Sequence, residues 1–373
     1  MPSIAYRFPM SFLWGSWYTP EPPARLGLPA PSAPRPLPEA METFVDTASE
    51  AGFRAVGLPL PWAWAWPQPE KVEQEVLAFY QALVERAHRR GLQVWVSLSA
   101  DPPPAWWEAM GGWQHPQAPE RFAGFTARVV QALHPWVDGW WLVEDVVHPE
   151  DGPRRLDAYR KAAEIARRIT TAPLALGVAV PVTLAPARRC WPPDWWAVRR
   201  VGRMYHVWLR QALTGPYGSW VDGVFLRLRP PQGLRATGQH HSRTWEPMPP
   251  EGYARHGPVF RLLRRARAWH KPLLVLGTTA GPPITQAHLL VDHLLQLWHA
   301  LNLGTVLRGF FYPGPGDPSH DAATALYRDV VASQGVTHEV VARHLPDRLP
   351  QLYPGLAHQE IEALTKLNKY NHP

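Results

Sequence analysis

Two adjacent carboxylates, Glu144 and Asp145, stand at the end of an apolar run from Trp140 to Val143. A short uninterrupted apolar run reads as a strand buried on both faces of a parallel sheet. Charge at the C-terminal end of such a strand is where a β/α barrel presents catalytic side chains. The same pair would serve equally well to cap the following helix or to neutralise arginines. Arg227 supplies a reason for the second role. It lies within the apolar run Val224 to Leu228, and a guanidinium inside a central strand needs a carboxylate partner. Glu144 or Asp145 could supply it across the barrel mouth, giving a pair that either recognises an anionic ligand or neutralises itself.

Aromatic residues gather at neighbouring positions. Trp17, Trp62, Trp64, Trp106, Trp107 and Trp113 fall at or after expected strand ends, and Tyr312 closes the last apolar run. Aromatic faces stack on sugar rings and other flat ligands, and about half of these rings are expected only to fill gaps between helices and loops. Asp101, followed by Pro102 to Pro104, reads as the cap of the next turn more readily than as a rim carboxylate. His148, His206, His240 and His241 lie nearest the rim, but no spacing of metal-ligand type joins them. With Cys190 alone in the chain, a zinc site built on several cysteines and an internal disulfide are both excluded. No metal or other cofactor is expected.

The elements that must position these residues alternate. Apolar runs start near residues 12, 55, 94, 140, 174, 224, 273 and 307, and each is followed by a helical or partly helical stretch. Eight strand-then-helix units argue for a parallel sheet closed into a (β/α)8 barrel, one domain over residues 1–336. Residues 337–373 read as a C-terminal tail with a short amphipathic helix over Gln359 to Leu367. The stretch from Pro230 to Pro250 reads as an irregular polar loop, and Asp194 to Leu213 as a Trp-rich, partly helical excursion.

Composition narrows the partners. The 373 residues carry a net charge of +7, but no run of five basic residues occurs and no recognised nucleic-acid module accompanies the charge, so no nucleic-acid partner is expected. No stretch of eighteen apolar residues and no basic-then-apolar leader is visible, so the expectation is a cytoplasmic protein without a membrane span. The 44 prolines stiffen the loops of such a fold.

In order and spacing the chain resembles the family 1 glycoside hydrolases, retaining β-glycosidases built on a (β/α)8 barrel. The resemblance is carried by Phe12-Leu13-Trp14-Gly15, by Trp62 to Pro67, by Phe79-Tyr80, by Gly111-Gly112-Trp113 before Phe122, and by Ala325 to Gly335. It covers roughly residues 8–336. It implies an acid/base after the fourth strand in a Thr-x-Asn-Glu-Pro motif, which here places Glu144 on the Asn and Asp145 on the Glu. It implies a nucleophile after the seventh strand in Ile-Thr-Glu-Asn-Gly, where this chain has Leu276-Gly277-Thr278-Thr279-Ala280 and Thr278 takes the Glu position. No carboxylate lies between Glu251 and Asp292, so a small register error does not restore one. The family's arginine behind the nucleophile falls on Gly57, its third-strand histidine on Ala100, and its sixth-strand Asn-Tyr-Tyr on Arg227-Leu228-Arg229.

Three functions follow as expectations. The first is a glycosidase-like barrel that has lost retaining hydrolysis and binds a carbohydrate or other small ligand in a Trp-rich pocket, or performs altered chemistry. The second is an active hydrolase or transglycosylase using Asp145 and Glu144, with direct attack by water or an acceptor. It needs a second carboxylate roughly 6.5 to 9.5 Å across the pocket. The third is a scaffold for an acidic protein partner, held through arginine faces and the C-terminal tail.

Overall fold

The computed structural model describes residues 6–19, 38–100, 103–146, 152–181, 184–186, 196, 199–200, 203, 207, 209–215, 218–229, 232–236, 243–247, 258–278, 283–314 and 322–352. Eight strands form a closed barrel. In chain order they are β1 (Leu13–Tyr18), β2 (Ala55–Pro59), β3 (Gln93–Ser97), β4 (Gly139–Trp141), β5 (Leu174–Pro181), β6 (Gly223–Arg229), β7 (Leu273–Leu276) and β8 (Leu307–Gly314). Each pairs in parallel with the next, and β8 returns to β1. The chain is a (β/α)8 barrel.

The helices that cover it are α1 (Pro38–Glu50), α2 (Gln74–Arg89), α3 (Ala118–Leu133), α4 (Gly152–Ala166), α5 (Pro258–Ala266), α6 (Pro283–Asn302) and α7 (Ala322–Ser333). Their sequence explains them. In α2 the buried Leu77, Tyr80, Leu83, Val84 and Ala87 recur at three- and four-residue steps, so one stripe faces the barrel. Just beyond α1 and α2, Gly52 and Gly91 take φ of +78° and +77°, a left-handed turn that glycine adopts without a Cβ penalty.

Two apolar regions result. The larger lies between the strands and the helices and contains most of the aliphatic core. The smaller fills the barrel lumen with Trp17, Trp95, Trp141, Phe225 and Phe311, packed against Ala55, Ala175, Leu274 and Leu276. Trp141 stacks on Phe225 with ring centroids 4.3 Å apart and planes 13° from parallel. Rings this large fit because glycines face them. A Cβ on Gly57 would collide with the Trp17 ring, and one on Gly177 with Trp141. Gly15 gives the same room to Phe311, and Gly139 to Trp95. Losing one such ring to alanine costs about 3–5 kcal/mol in a core of this kind.

Two regions depart from the sequence reading. The expected irregular loop contains a hairpin, Gln232–Ala236 antiparallel to Arg243–Pro247, with Leu184–Pro186 parallel to its first strand. The register Pro181 with Arg229 leads on to Leu184 with Gln232, so this sheet follows on from β5 and β6 beyond the barrel end. Its strands are only three to five residues long, too short to show an alternation of their own in the sequence. After residue 336, helix His338–His344 is capped by Thr337, whose Oγ1 accepts from the Val340 amide at 3.4 Å. Val341, Leu345 and Leu349 are fully buried in the main core, so the chain up to Leu349 packs as part of the barrel body. The expected helix over Gln359 to Leu367 lies outside the described residues. Among the described residues, no helix is long and apolar enough to cross a membrane.

Candidate functional site at the barrel mouth

Past the end of β4, the backbone stays laced to both neighbouring strands. Leu98 donates to the Trp141 carbonyl at 3.1 Å, Gly177 to the Val143 carbonyl at 3.1 Å, and Val146 donates back to the Gly177 carbonyl at 3.2 Å. This fixes Glu144 and Asp145 at the C-terminal mouth, with 8 % and 5 % of their surface exposed. Sequence alone gives this position but not what surrounds it.

Glu144 is held from three sides. Its amide donates to Ser99 Oγ at 2.8 Å, its Oε1 accepts from Ser97 Oγ at 2.5 Å, and its Oε2 accepts from Arg227 Nη1 at 3.0 Å. Asp145 has its own arginine: Oδ2 accepts from Arg229 Nη2 at 3.2 Å, and Oδ1 from the Ala179 amide at 3.4 Å. The Asp145 carbonyl accepts from Arg155 Nη1 at 3.1 Å, and the Arg155 guanidinium lies 5.4 Å from the centroid of the Trp113 ring.

The two arginines come together through strand alternation. Phe225, Arg227 and Arg229 share one face of β6, and Phe225 points into the lumen. The next two residues on that face therefore line the mouth above the aromatic layer. Their side chains remain 43 % and 39 % exposed while the carboxylates behind them are buried. Removing one partner of a fully buried ion pair costs about 3–5 kcal/mol, and half-exposed guanidiniums place these pairs below that limit.

The other expected residues divide. Thr278 lies two positions past the Leu276–Arg227 pairing, on the face that carries Leu274 and Leu276 into the lumen, and is 7 % exposed. Trp17 is part of the lumen filling, 5.2 Å from Trp141 and 5.1 Å from Phe225 between ring centroids. Trp62, Trp107 and Trp113 form a packed cluster outside the barrel with Phe122; Trp62 stacks on Trp113 at 5.7 Å. Trp106 packs edge-on against Trp66 at 4.6 Å and donates its Nε1–H to the Trp66 carbonyl at 2.9 Å. Trp64 is half-buried on the short turn Trp62–Ala65. Tyr312 is turned away from the lumen by the alternation that sends Phe311 into it, and packs on Tyr327 at 5.4 Å. Trp62, Trp106, Trp113 and Tyr312 thus take part in aromatic packing between the barrel and its helices. Asp101, His148, His206, His240 and His241 lie outside the described residues.

Sequence reasoning missed Arg229, Ser97, Ser99 and Arg155. Three of them had a signal. Arg227-Leu228-Arg229 and Ser97-Leu98-Ser99 each repeat at the strand period of two, which puts both members on one face. Among the described residues, no group of three His, Cys, Asp or Glu side chains comes together to hold a metal ion.

No protein-family model matches the chain, and no curated protein matches it in sequence. Solved structures do match it in shape. The β-glycosidase from Pyrococcus horikoshii superposes with a TM-score of 0.70 at 15 % identity, over 95 % of this chain and 100 % of that one. The family 1 β-glucosidase from Thermotoga maritima gives 0.69 at 14 % identity, over 89 % and 99 %. The AHE enzyme from Alicyclobacillus herbarius gives 0.64 at 15 % identity, over 84 % and 90 %. At these identities the likeness is one of architecture, and the chain has the barrel fold of the family 1 β-glycosidases.

Proposed function

We propose that this glycosidase-fold barrel binds a small anionic ligand, a carbohydrate acid or sugar phosphate, at its arginine-lined mouth, and that it does not hydrolyse glycosides by the retaining route. The observation that carries the reading is the double ion pair. Glu144 and Asp145 are both buried and each is engaged by an arginine.

Retaining hydrolysis needs one carboxylate as nucleophile and, about 5 Å away, a carboxylic acid that gives up its proton and takes it back. Here each carboxylate already accepts a guanidinium N–H, which occupies an oxygen that the acid would turn toward the glycosidic bond. At the end of β7, where the family resemblance implies the nucleophile, stands Thr278. A threonine hydroxyl without an adjacent base is a weak nucleophile. The direct-attack reading, with Asp145 as acid, meets the same obstacle, because its proposed acid is the one paired with Arg229.

The arginines suit ligand binding better. Each uses one N–H on its carboxylate, and the remaining donors of two planar forks stand two residues apart at a half-exposed mouth. Carboxylate and phosphate oxygens match that fork geometry, and charge-assisted bonds of this kind contribute roughly 1.5–3 kcal/mol each. The buried carboxylates hold the forks in place before a ligand arrives, which lowers the ordering cost of binding.

Calorimetric titration with D-glucuronate, glucose 6-phosphate and glucose tests this. An anionic sugar should bind, glucose should bind about tenfold more weakly or not at all, and Arg229→Ala should reduce the anion's affinity by about tenfold. Equal affinity for glucose and its anionic derivatives, or an unchanged affinity in Arg229→Ala, would contradict the reading.

A further inference from the structure

The opposite end of the barrel holds a cavity that the mouth site does not use. Its volume is about 310 Å3, within the range of roughly 300–1,000 Å3 over which small-molecule pockets fall. It opens at the N-terminal ends of the strands, between Ser11, Pro173, Asp222 and Pro272, and reaches inward to Trp95. The space exists because the lowest layer of the lumen is under-filled. Ala175 contributes only a methyl group there and Gly223 no side chain at all. Leu13, Trp95 and Leu274 complete an apolar shaft whose inner wall belongs to the aromatic packing of the lumen.

Its entrance is polar, and the charges there are not equivalent. Asp222 is already occupied: Arg167 Nη2 donates to its Oδ1 at 2.8 Å and the Leu174 amide to its Oδ2 at 2.9 Å. Arg308 is different. It is exposed, and its side chain makes no ion pair or hydrogen bond with any described residue. Its placement is a departure from the strand pattern. Leu273 pairs with Leu307 and Leu274 with Gly309, so Arg308 is the extra residue of a β-bulge in β8. A bulge breaks the two-residue alternation and re-aims a side chain. Here it brings a guanidinium to the entrance of an apolar shaft whose nearest acid is neutralised by another arginine.

We infer that this cavity binds a small aromatic carboxylate, with the ring in the shaft beside Trp95 and Leu274 and the carboxylate on Arg308. The ring replaces water against apolar walls, and the single charged bond at the entrance fixes orientation, the division of labour usual in small-molecule sites. This site is separate from the arginine pair at the mouth and does not depend on the function proposed for it.

Calorimetry on the full chain with indole-3-acetate and 3-phenylpropionate, each beside its uncharged amide, reads the inference directly. Saturable binding of a carboxylate is expected, weakened about tenfold in its amide and about tenfold in Arg308→Glu. Ala175→Leu, which fills the shaft, should abolish it. Arg308 is exposed, so its variant answers even if Ala175→Leu fails to fold. Arg229→Ala should leave this binding unchanged. No saturable binding of either carboxylate, equal affinity in Arg308→Glu, or a loss confined to Arg229→Ala would overturn the inference.

Discussion

Glu144 and Asp145 are consecutive, yet they face different partners. One side chain reaches Arg227 and the other Arg229, because the two arginines stand one strand repeat apart on β6. The carboxylates are therefore the foundation of the site and the guanidiniums its surface. Arg227→Ala removes the guanidinium that meets Glu144 Oε2 and leaves a buried carboxylate short of that cation. A loss of stability of about 1–3 kcal/mol is expected in denaturant titration, and replacing Glu144 by Gln in the same chain should recover part of it. No change in the denaturation midpoint would mean that the pair contributes nothing to the fold. In the sequence, Arg227 was legible as a buried charge needing a partner. Which carboxylate answered it was not, because pairing across a barrel is decided by the stagger of the strands. Arg229 was harder still: at the edge of the apolar run it reads as ordinary surface charge.

The elements around the site were mostly readable, and the reason is periodicity. Short apolar runs gave all eight strands, and three- and four-residue steps gave the helices. What periodicity does not encode is the direction of an individual ring. Trp17 and Tyr312 both sit late in barrel strands, but one fills the lumen and the other packs outward on Tyr327. The glycines carry that information. Gly57 was visible only as an absent arginine, whereas in the fold it is the seat of the Trp17 ring. The hairpin at Gln232–Ala236 and Arg243–Pro247 escaped because its strands lack an apolar pattern of their own. Helix α6 adds a testable property. His293 is buried and desolvation lowers its pKa from 6.5 to about 4. Its neutral form is the one the fold accepts, so the contribution is complete above pH 6.5 and is lost as pH falls through about 4. Across that window His293 alone should cost the chain about 3 kcal/mol, and His293→Leu should flatten that part of the stability–pH curve. An identical curve in the variant would remove His293 as the cause.

For the whole molecule, the fold is shared with known glycosidases, and the function rests on the site. The barrel superposes on family 1 β-glycosidases over nearly its full length at 14–15 % identity. Its lumen is packed with aromatic rings, and its mouth carries ion pairs at the strand that would hold the acid. A barrel keeps its architecture through the strand and helix pattern while the loops and strand ends are rebuilt. Sequence order carries that pattern and so revealed the fold, while it left the site open. The most direct test is release of p-nitrophenol from p-nitrophenyl β-D-glucoside, β-D-galactoside and β-D-glucuronide, with Asp145→Asn beside the unaltered chain. If Asp145 anchors Arg229, neither protein turns over any of the three above the buffer rate. Turnover by the unaltered chain that disappears in Asp145→Asn would show that Asp145 is an acid/base after all.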